Sequence, residues 1–162
     1  PGREVYFEHN TCVNAGGGFS MQGECPPRQS DPYPQPVGYH VWAWMIDPGT
    51  QAGKIYVRNN IFYESYGPAV CLSIAPQDAR LFMLEDNVYW KTTPGRLIEW
   101  GGGTPYVPEE FGTFQEECGC ERAGRIGKPE FYDAAKGDFR VRTRSVHSAA
   151  GMRWGDTEER IR

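Results

Sequence analysis

The segment Ile55-Tyr-Val-Arg-Asn-Asn60 occurs in two further versions, Val5-Tyr-Phe-Glu-His-Asn10 and Phe82-Met-Leu-Glu-Asp-Asn87. Each version has apolar residues five and three positions before its final asparagine, and an apolar or aromatic residue two positions after it. The asparagines are 50 and 27 residues apart. A period in the twenties, with strand-like alternation and an asparagine at one fixed corner, is typical of a parallel β-helix. The sequence therefore predicts an all-β parallel β-helix of about three to four coils.

Each repeat reads as three short strands, separated by corners that follow in the same order. The predicted strands are Glu4–Glu8, Thr11–Asn14 and Phe19–Gln22 in the first coil, Lys54–Arg58, Ile61–Glu64 and Ala69–Ile74 in the second, and Leu81–Glu85, Val88–Lys91 and Leu97–Trp100 in the third. Stacked coils would place Asn10, Asn60 and Asn87 in a structural ladder. Its side-chain amides would bond to the backbone of neighbouring coils and satisfy polar groups at the bend.

The first interval between asparagines exceeds the second by 23 residues (50 less 27), and the excess falls between Gln22 and Lys54. A Pro-rich loop leads into Tyr39–Ile46, which reads as a strand. A degenerate fourth coil and an elaborated side loop both fit, and we favour the loop because it contains no further asparagine corner. We thus expect coils over 1–100 with an inserted loop and strand at 23–53. A capping segment follows over 101–162, with a short helix in Pro108–Glu117.

Composition limits the partners of this chain. The net charge of −4, and the lack of any stretch that interleaves Lys or Arg with aromatic residues, argue against nucleic acid. No apolar run approaches the roughly 18 residues that a membrane span requires. The chain enters a strand almost at once, without the cap that usually covers the end of a solenoid. We expect a processed form or the C-terminal portion of a longer protein, with the preceding coils as partner.

The five cysteines are Cys12, Cys25, Cys71, Cys118 and Cys120. Cys118-Gly-Cys120 is too tightly spaced for the usual zinc knuckle and no histidine lies near it, so no metal site is assigned. Outside the cytosol Cys25 could bridge to Cys118 or to Cys120, but the sequence does not decide the pairing. Cys12 occupies a repeat position filled elsewhere by Phe62 and Tyr89, which indicates a small core residue.

Several motifs together resemble the right-handed parallel β-helix repeat proteins of the pectate-lyase-like superfamily. They are Asn59-Asn-Ile-Phe62, Asp86-Asn-Val-Tyr89, and a closing stretch with Pro129-x-Phe131-x-Asp133, Gly137-Asp-Phe-Arg-Val141 and Gly151-Met152. The closing stretch resembles the end of many secreted bacterial β-helix proteins, although Arg144-Ser-Val146 stands where the family usually has Ser-Pro-Ala. The resemblance implies a secreted or periplasmic, carbohydrate-active protein. Fold alone does not choose among lyases, glycoside hydrolases and non-catalytic adhesins.

The stretch 39–47 is the best candidate for contact with a polysaccharide, because it concentrates aromatic and titratable residues. Tyr39, Trp42 and Trp44 are candidates for substrate binding, since sugar rings stack on aromatic faces. His40 and Asp47 are the candidate catalytic residues, as acid or base. The alternative is that the tryptophans pack over the side of the solenoid, that His40 is a hydrogen-bonded surface residue, and that Asp47 starts a turn.

These observations favour a polysaccharide-degrading protein that acts on an extended polymer along an outer sheet. A non-catalytic carbohydrate-binding or adhesion module, and a structural capping module, are the alternatives. Lyases of this type use a base and a cation, whereas hydrolases use paired carboxylates. Glu64, Glu85 and Glu99 are candidates for a row of acids on outer surfaces, although a solvated face explains them as well. Calcium could bind such acids, but no compact Asp-rich loop indicates it.

Overall fold

The computed structural model describes residues 4–15, 39–43, 46 and 53–142. Within these ranges the chain is rich in β-strands and most strand pairs are parallel, as the repeat predicts. The strands are β1 (Val5–Glu8), β2 (Thr11–Ala15), β3 (Val41–Ala43), β4 (Ile55–Arg58), β5 (Ile61–Ser65), β6 (Val70–Leu72), β7 (Phe82–Glu85), β8 (Val88–Trp90), β9 (Ile98–Trp100), β10 (Thr104–Tyr106), β11 (Arg125–Ile126), β12 (Phe131–Asp133) and β13 (Asp138–Val141). The helices are α1 (Pro76–Ala79) and α2 (Phe111–Cys118), with 3-10 turns at Pro108–Glu110 and Ala134–Lys136.

Strands of successive repeats pair to form three sheets. The first sheet has the order β1-β4-β7, the second β2-β5-β8-β11 and the third β3-β6-β9-β10. Pairing within them is parallel except between β9 and β10. Residues at the same position of the repeat lie side by side, as Val5, Ile55 and Phe82 do in the first sheet. The recurring segments found in the sequence are therefore neighbours in space.

The third strand of the first repeat is β3, which pairs with β6 in parallel register. The repeat predicts Phe19–Gln22 at this position, which lie outside the described residues, and Tyr39–Ile46 in an insertion. The pairing instead makes Val41–Ala43 part of the third sheet. The reason is that strand partnership is set by contacts between repeats, which the local pattern of this stretch does not encode.

The corner before each asparagine needs an unusual backbone conformation. His9, Asn59 and Asp86 have φ angles of 54°, 54° and 57°, in the left-handed region. Asn, Asp and His enter this region more readily than other residues with a side chain. The residue types at this position thus follow from the shape of the corner, and the asparagine that comes next is turned toward the neighbouring repeat.

The core lies between the sheets, because inward residues alternate with outward ones along each strand. Val57, Leu84 and Phe62 are among its buried members. Helix α2 covers this core beyond the last repeat: Phe111 packs on Tyr89, with ring centroids 5.5 Å apart, and Phe114 is in the same cluster. The predicted short helix over Pro108–Glu117 is present as a 3-10 turn followed by α2.

The hairpin of β12 and β13 packs on a different part of the molecule from helix α2. Phe131 packs with Ile61 and Val88, which point outward from the second sheet, and Phe139 and Val141 join this smaller cluster. This part of the predicted capping segment therefore covers the outer face of a sheet rather than the end of the stack.

The sequence left the disulfide pairing open, and the structure decides it for two of the cysteines. Cys118 is bonded to Cys120, so neither is available to Cys25, which lies outside the described residues. Gly119 between them has a left-handed φ of 65°, where glycine carries no Cβ penalty, and it ends α2. This C-cap turn brings the two cysteines together, a local geometry that residue spacing alone did not reveal.

Candidate functional site

The outer face of the third sheet carries a row of side chains from three repeats. Trp42 of β3 lies beside Cys71 of β6, which lies beside Glu99 of β9. Their strand neighbours Val41, Val70 and Ile98 belong to the core on the other face. We call the cluster formed by Tyr39, Trp42, Cys71, Ser73, Arg96 and Glu99 the third-sheet row. It combines an aromatic end with a polar end on one surface.

The aromatic end consists of Tyr39 and Trp42, two of the residues predicted to bind substrate. Their ring centroids are 5.8 Å apart at a tilt of 36°, and Trp42 is 39% exposed. Tyr39 is half-buried and its side chain is hydrogen-bonded to Cys71. Burial, and then the proximity of Cys71 and Glu99, raise the pKa of Tyr39, so its hydroxyl stays protonated at neutral pH. The pair forms a fixed aromatic surface.

The polar end centres on the carboxylate of Glu99. Its Oε1 accepts a hydrogen bond of 3.1 Å from the Ser73 hydroxyl, and its Oε2 accepts one of 2.5 Å from the Arg96 guanidinium. The Cys71 sulfur lies 3.7 Å from Oε1. Burial raises the pKa of the Cys71 thiol, so it lacks the thiolate character of a nucleophile. The chemistry available here is recognition by a carboxylate, a guanidinium and a hydroxyl next to aromatic rings.

His40 faces away from the row, although it is adjacent to Tyr39 in sequence. Its ring stacks on core residue Phe62 at 5.3 Å, and its side chain is hydrogen-bonded to the backbone of Glu64. Its Nε2 is buried and has no hydrogen-bond partner in the described part of the chain. Burial, the main cause, lowers the pKa of His40 to about 4, so the imidazole is neutral at pH 7. This environment is that of a packed residue; the catalytic role stays a prediction.

Lowering the pH from 7 to 4 is expected to destabilise the wild-type protein more than the His40→Phe variant. The pKa of His40 is about 4 when folded and near 6.5 when unfolded, so the unfolded state binds the proton first. The stability due to this group therefore declines as the pH falls from 6.5 toward 4. The expected difference is about 2 to 3 kcal/mol, measured by urea unfolding at both pH values. Equal losses in both proteins would contradict the prediction.

Two of the predicted site residues, Trp44 and Asp47, lie outside the described residues, and their roles stay predictions. Glu64, Glu85 and Glu99 do not form a row, because they lie on the second, first and third sheets respectively. Within the ranges that the structure describes, no three His, Cys, Asp or Glu side chains are close enough to hold a metal ion. No described helix is long and apolar enough to cross a membrane.

The asparagines at the corners form one hydrogen-bonded column. Asn10 donates from its backbone N–H and its Nδ2 to Oδ1 of Asn60, at 2.9 and 3.1 Å. Asn60 donates in the same way to Asn87, at 2.9 and 3.0 Å. The Nδ2 groups of Asn60 and Asn87 also bond to the carbonyls of Phe7 and Val57. The column ties three repeats together and holds the sheets in register.

Glu121 continues this column beyond the last asparagine, and sequence reasoning missed it. Its fully buried carboxylate accepts from the backbone N–H of Asn87 at 3.1 Å, from Asn87 Nδ2 at 2.5 Å and from the Tyr89 hydroxyl at 2.6 Å. Burial raises the pKa of Glu121, and these hydrogen bonds oppose the rise. Gly124 is packed so closely that an added Cβ would lie 2.1 Å from Glu121 Oε2. The column thus ends on an acceptor enclosed by the chain.

No family model, no curated protein and no solved structure matches this chain.

Proposed function

We propose that this protein binds an extended polysaccharide along the outer face of the third sheet, as part of a secreted or periplasmic right-handed parallel β-helix. Three features support the architecture: pairing of equivalent strands in successive repeats, the parallel register, and the asparagine column. A surface made by stacked repeats is long and regular, which suits a polymer with a regular repeat of its own.

The observation that carries the proposal is the third-sheet row. Aromatic rings bind the apolar faces of sugars, and a few polar groups beside them fix orientation through hydrogen bonds to hydroxyls. Tyr39 and Trp42 provide the first element, and Ser73, Arg96 and Glu99 provide the second. Because Arg96 and Ser73 both already bond to Glu99, their positions are set before a ligand arrives, which lowers the entropy lost on binding.

One further observation bears on the setting. The Cys118–Cys120 disulfide supports an oxidising compartment, as expected for a secreted or periplasmic protein.

Degradation of the polysaccharide is the second candidate, favoured by the Arg96–Glu99 pair beside the aromatic rings. An arginine can neutralise a uronate carboxyl in a lyase, whereas a hydrolase needs a second carboxylate. Glu99 is the only acid of the third-sheet row in the described residues, and the predicted Asp47 lies outside them. Binding therefore has the stronger support.

The Trp42→Ala variant is expected to bind its polysaccharide at least about tenfold more weakly than the wild type, because loss of a central aromatic contact typically has that effect. Calorimetric titration with a panel of neutral and uronate-containing polymers measures it. Tyr6→Ala, which removes an exposed tyrosine from the first sheet, is the matched control. A second assay follows the absorbance of unsaturated products and the formation of reducing ends, with calcium and with chelator. Unsaturated products indicate a lyase, reducing ends without them indicate a hydrolase, and neither signal indicates binding alone. Absence of binding to every polymer, or equal affinity of the two variants, would contradict the proposal.

A further inference from the structure

Two tyrosines of successive repeats stack on the outer face of the first sheet. Tyr6 of β1 and Tyr56 of β4 are partners in the parallel register, and their ring centroids are 4.9 Å apart with the planes 8° from parallel. Their strand neighbours Phe7 and Val57 belong to the core on the other face. Tyr6 is 55% exposed, so solvent reaches the pair. In the described part of the chain, no other two tyrosine rings pack on each other.

One carboxylate binds both phenol groups. The Tyr6 hydroxyl donates to Oε2 of Glu4 at 2.5 Å, and the Tyr56 hydroxyl donates to Oε1 of the same residue at 3.4 Å. The hydrogen bond to Glu4 is the main cause that raises the pKa of Tyr6, so this phenol is protonated at neutral pH. Because the rings are nearly parallel and both hydroxyls point to one carboxylate, equivalent carbons of the two rings lie alongside each other.

The guanidinium of Arg58 lies beside both rings. It is 5.9 Å from the ring centre of Tyr6 and 5.4 Å from that of Tyr56, and its Nε donates to Glu8 at 2.5 Å. A cation at this distance opposes removal of an electron alone, because the ring would become positively charged. The repulsion does not arise when the phenol proton leaves with the electron, and the Glu4 carboxylate is placed to accept that proton.

We infer that Tyr6 and Tyr56 form a site of oxidative modification, at which a peroxidase-type oxidant joins the two rings through a dityrosine bond. Each phenol loses one electron to the oxidant and one proton, and Glu4 accepts the proton of Tyr6 and passes it to water. The two phenoxyl radicals couple at the carbons ortho to their oxygens. The hydrogen on each of these carbons then leaves as a proton while each oxygen regains one, so both phenols are restored. Hydrogen peroxide is the co-reactant, and the two electrons and two protons reduce it to two molecules of water.

The link joins two repeats on the outside of the first sheet. A bond between ring carbons requires the rings to turn from stacked to edge contact, and the exposed outer face leaves room for this movement. The product fastens β1, which lies at the end of the described first sheet, to β4. A strand at the end of a sheet has one neighbour and separates more easily than a central strand. The inference does not depend on polysaccharide binding, because the third-sheet row lies on another sheet.

The test treats dilute wild-type protein with a peroxidase and hydrogen peroxide, beside Tyr6→Phe, Tyr56→Phe and the control Tyr66→Phe. Tyr66 is 54% exposed, as Tyr6 is, but its ring packs on no other tyrosine in the ranges described. We expect the wild type and the control to gain dityrosine fluorescence as monomers, with a mass lower by two hydrogens and a peptide in which Tyr6 is joined to Tyr56. Both pair variants should lose this product, because phenylalanine keeps the ring without the phenol. Oxidation of Met83, the neighbour of Tyr56 in register, is distinguished by mass, since a sulfoxide gains an oxygen.

Four results would overturn the inference. They are a wild type without the link while the same peroxidase oxidises added N-acetyltyrosine, links found only between molecules, a link between other tyrosines, and an equal loss of product in Tyr66→Phe. Glu4→Gln should form the link more slowly than the wild type, and an equal rate would reject Glu4 as the proton acceptor. Circular dichroism checks folding, and Tyr6→Phe, at the more exposed position, decides alone if Tyr56→Phe unfolds.

Discussion

Replacing Glu121 by alanine is expected to lower the free energy of unfolding by about 3 to 6 kcal/mol. The change leaves three buried donor hydrogens without an acceptor: the backbone N–H of Asn87, the Nδ2 N–H that does not bond to the Val57 carbonyl, and the Tyr89 hydroxyl. Each unsatisfied buried donor costs about 1 to 3 kcal/mol. A loss of this size is a large part of the stability of a typical domain. Urea unfolding, followed by far-UV circular dichroism, measures it.

Two substitutions serve as controls for Glu121→Ala. Glu121→Gln keeps one oxygen for Asn87 Nδ2 and Tyr89, but its amide N–H would face the backbone N–H of Asn87, so we expect an intermediate loss. Glu116→Ala removes an exposed acid from α2 and should change the stability by less than about 0.5 kcal/mol. A Glu121→Ala variant as stable as Glu116→Ala would show that the end of the column contributes nothing to stability.

The Asn60→Ala variant is expected to lose about 3 to 5 kcal/mol. Asn60 is fully buried in the middle of the column, where it accepts two hydrogen bonds from Asn10 and donates to Asn87 and to the Phe7 carbonyl. Alanine removes all of these side-chain hydrogen bonds at once. The buried groups that made them are then left without partners.

The matched control is Asn10→Ala, at the half-buried first position of the same column. Its side chain donates to the Glu8 carbonyl and to Asn60, but solvent reaches this position and compensates part of the loss. We expect a loss of about 1 kcal/mol. Chemical unfolding of both variants gives the comparison, and a larger loss for Asn10→Ala than for Asn60→Ala would reject the explanation by burial.

The strands of the repeats were predictable from the sequence because their signal is local. Apolar alternation marks the inward face of each strand, and the corner before Asn10, Asn60 and Asn87 admits few residue types. These constraints act within six or seven residues, so they are visible in a single chain. Assignment of β3 to the third sheet was not visible, because it depends on pairing with β6 across a variable stretch.

The candidate site was only partly predictable for a similar reason. Tyr39 and Trp42 stand out as aromatic residues within one short stretch. Glu99 and Cys71 come from other repeats and join them through strand register, while the lengths of the intervening corners differ. Trp42, Cys71 and Glu99 follow their preceding asparagines by 32, 11 and 12 residues, so counting from the corners does not align them. Glu121 gave no signal, since its segment shows no apolar alternation and lies 34 residues beyond Asn87.

The hydrogen bonds of the asparagine column all run in one direction, and that direction limits where further repeats can be added. Each asparagine donates two N–H groups to the next member of the column, and Asn60 and Asn87 each accept two from the previous one. The Glu121 carboxyl oxygens accept the last pair of Asn87 donors, and its side chain has no amide with which to donate to a further repeat. Duplication of a repeat that carries an asparagine preserves the alternation of donors and acceptors along the column. A repeat added after Glu121 would have an acceptor at its corner but no side-chain N–H from Glu121 to bond to it. Glu121 acts as a terminator that fixes the length of the column from one end.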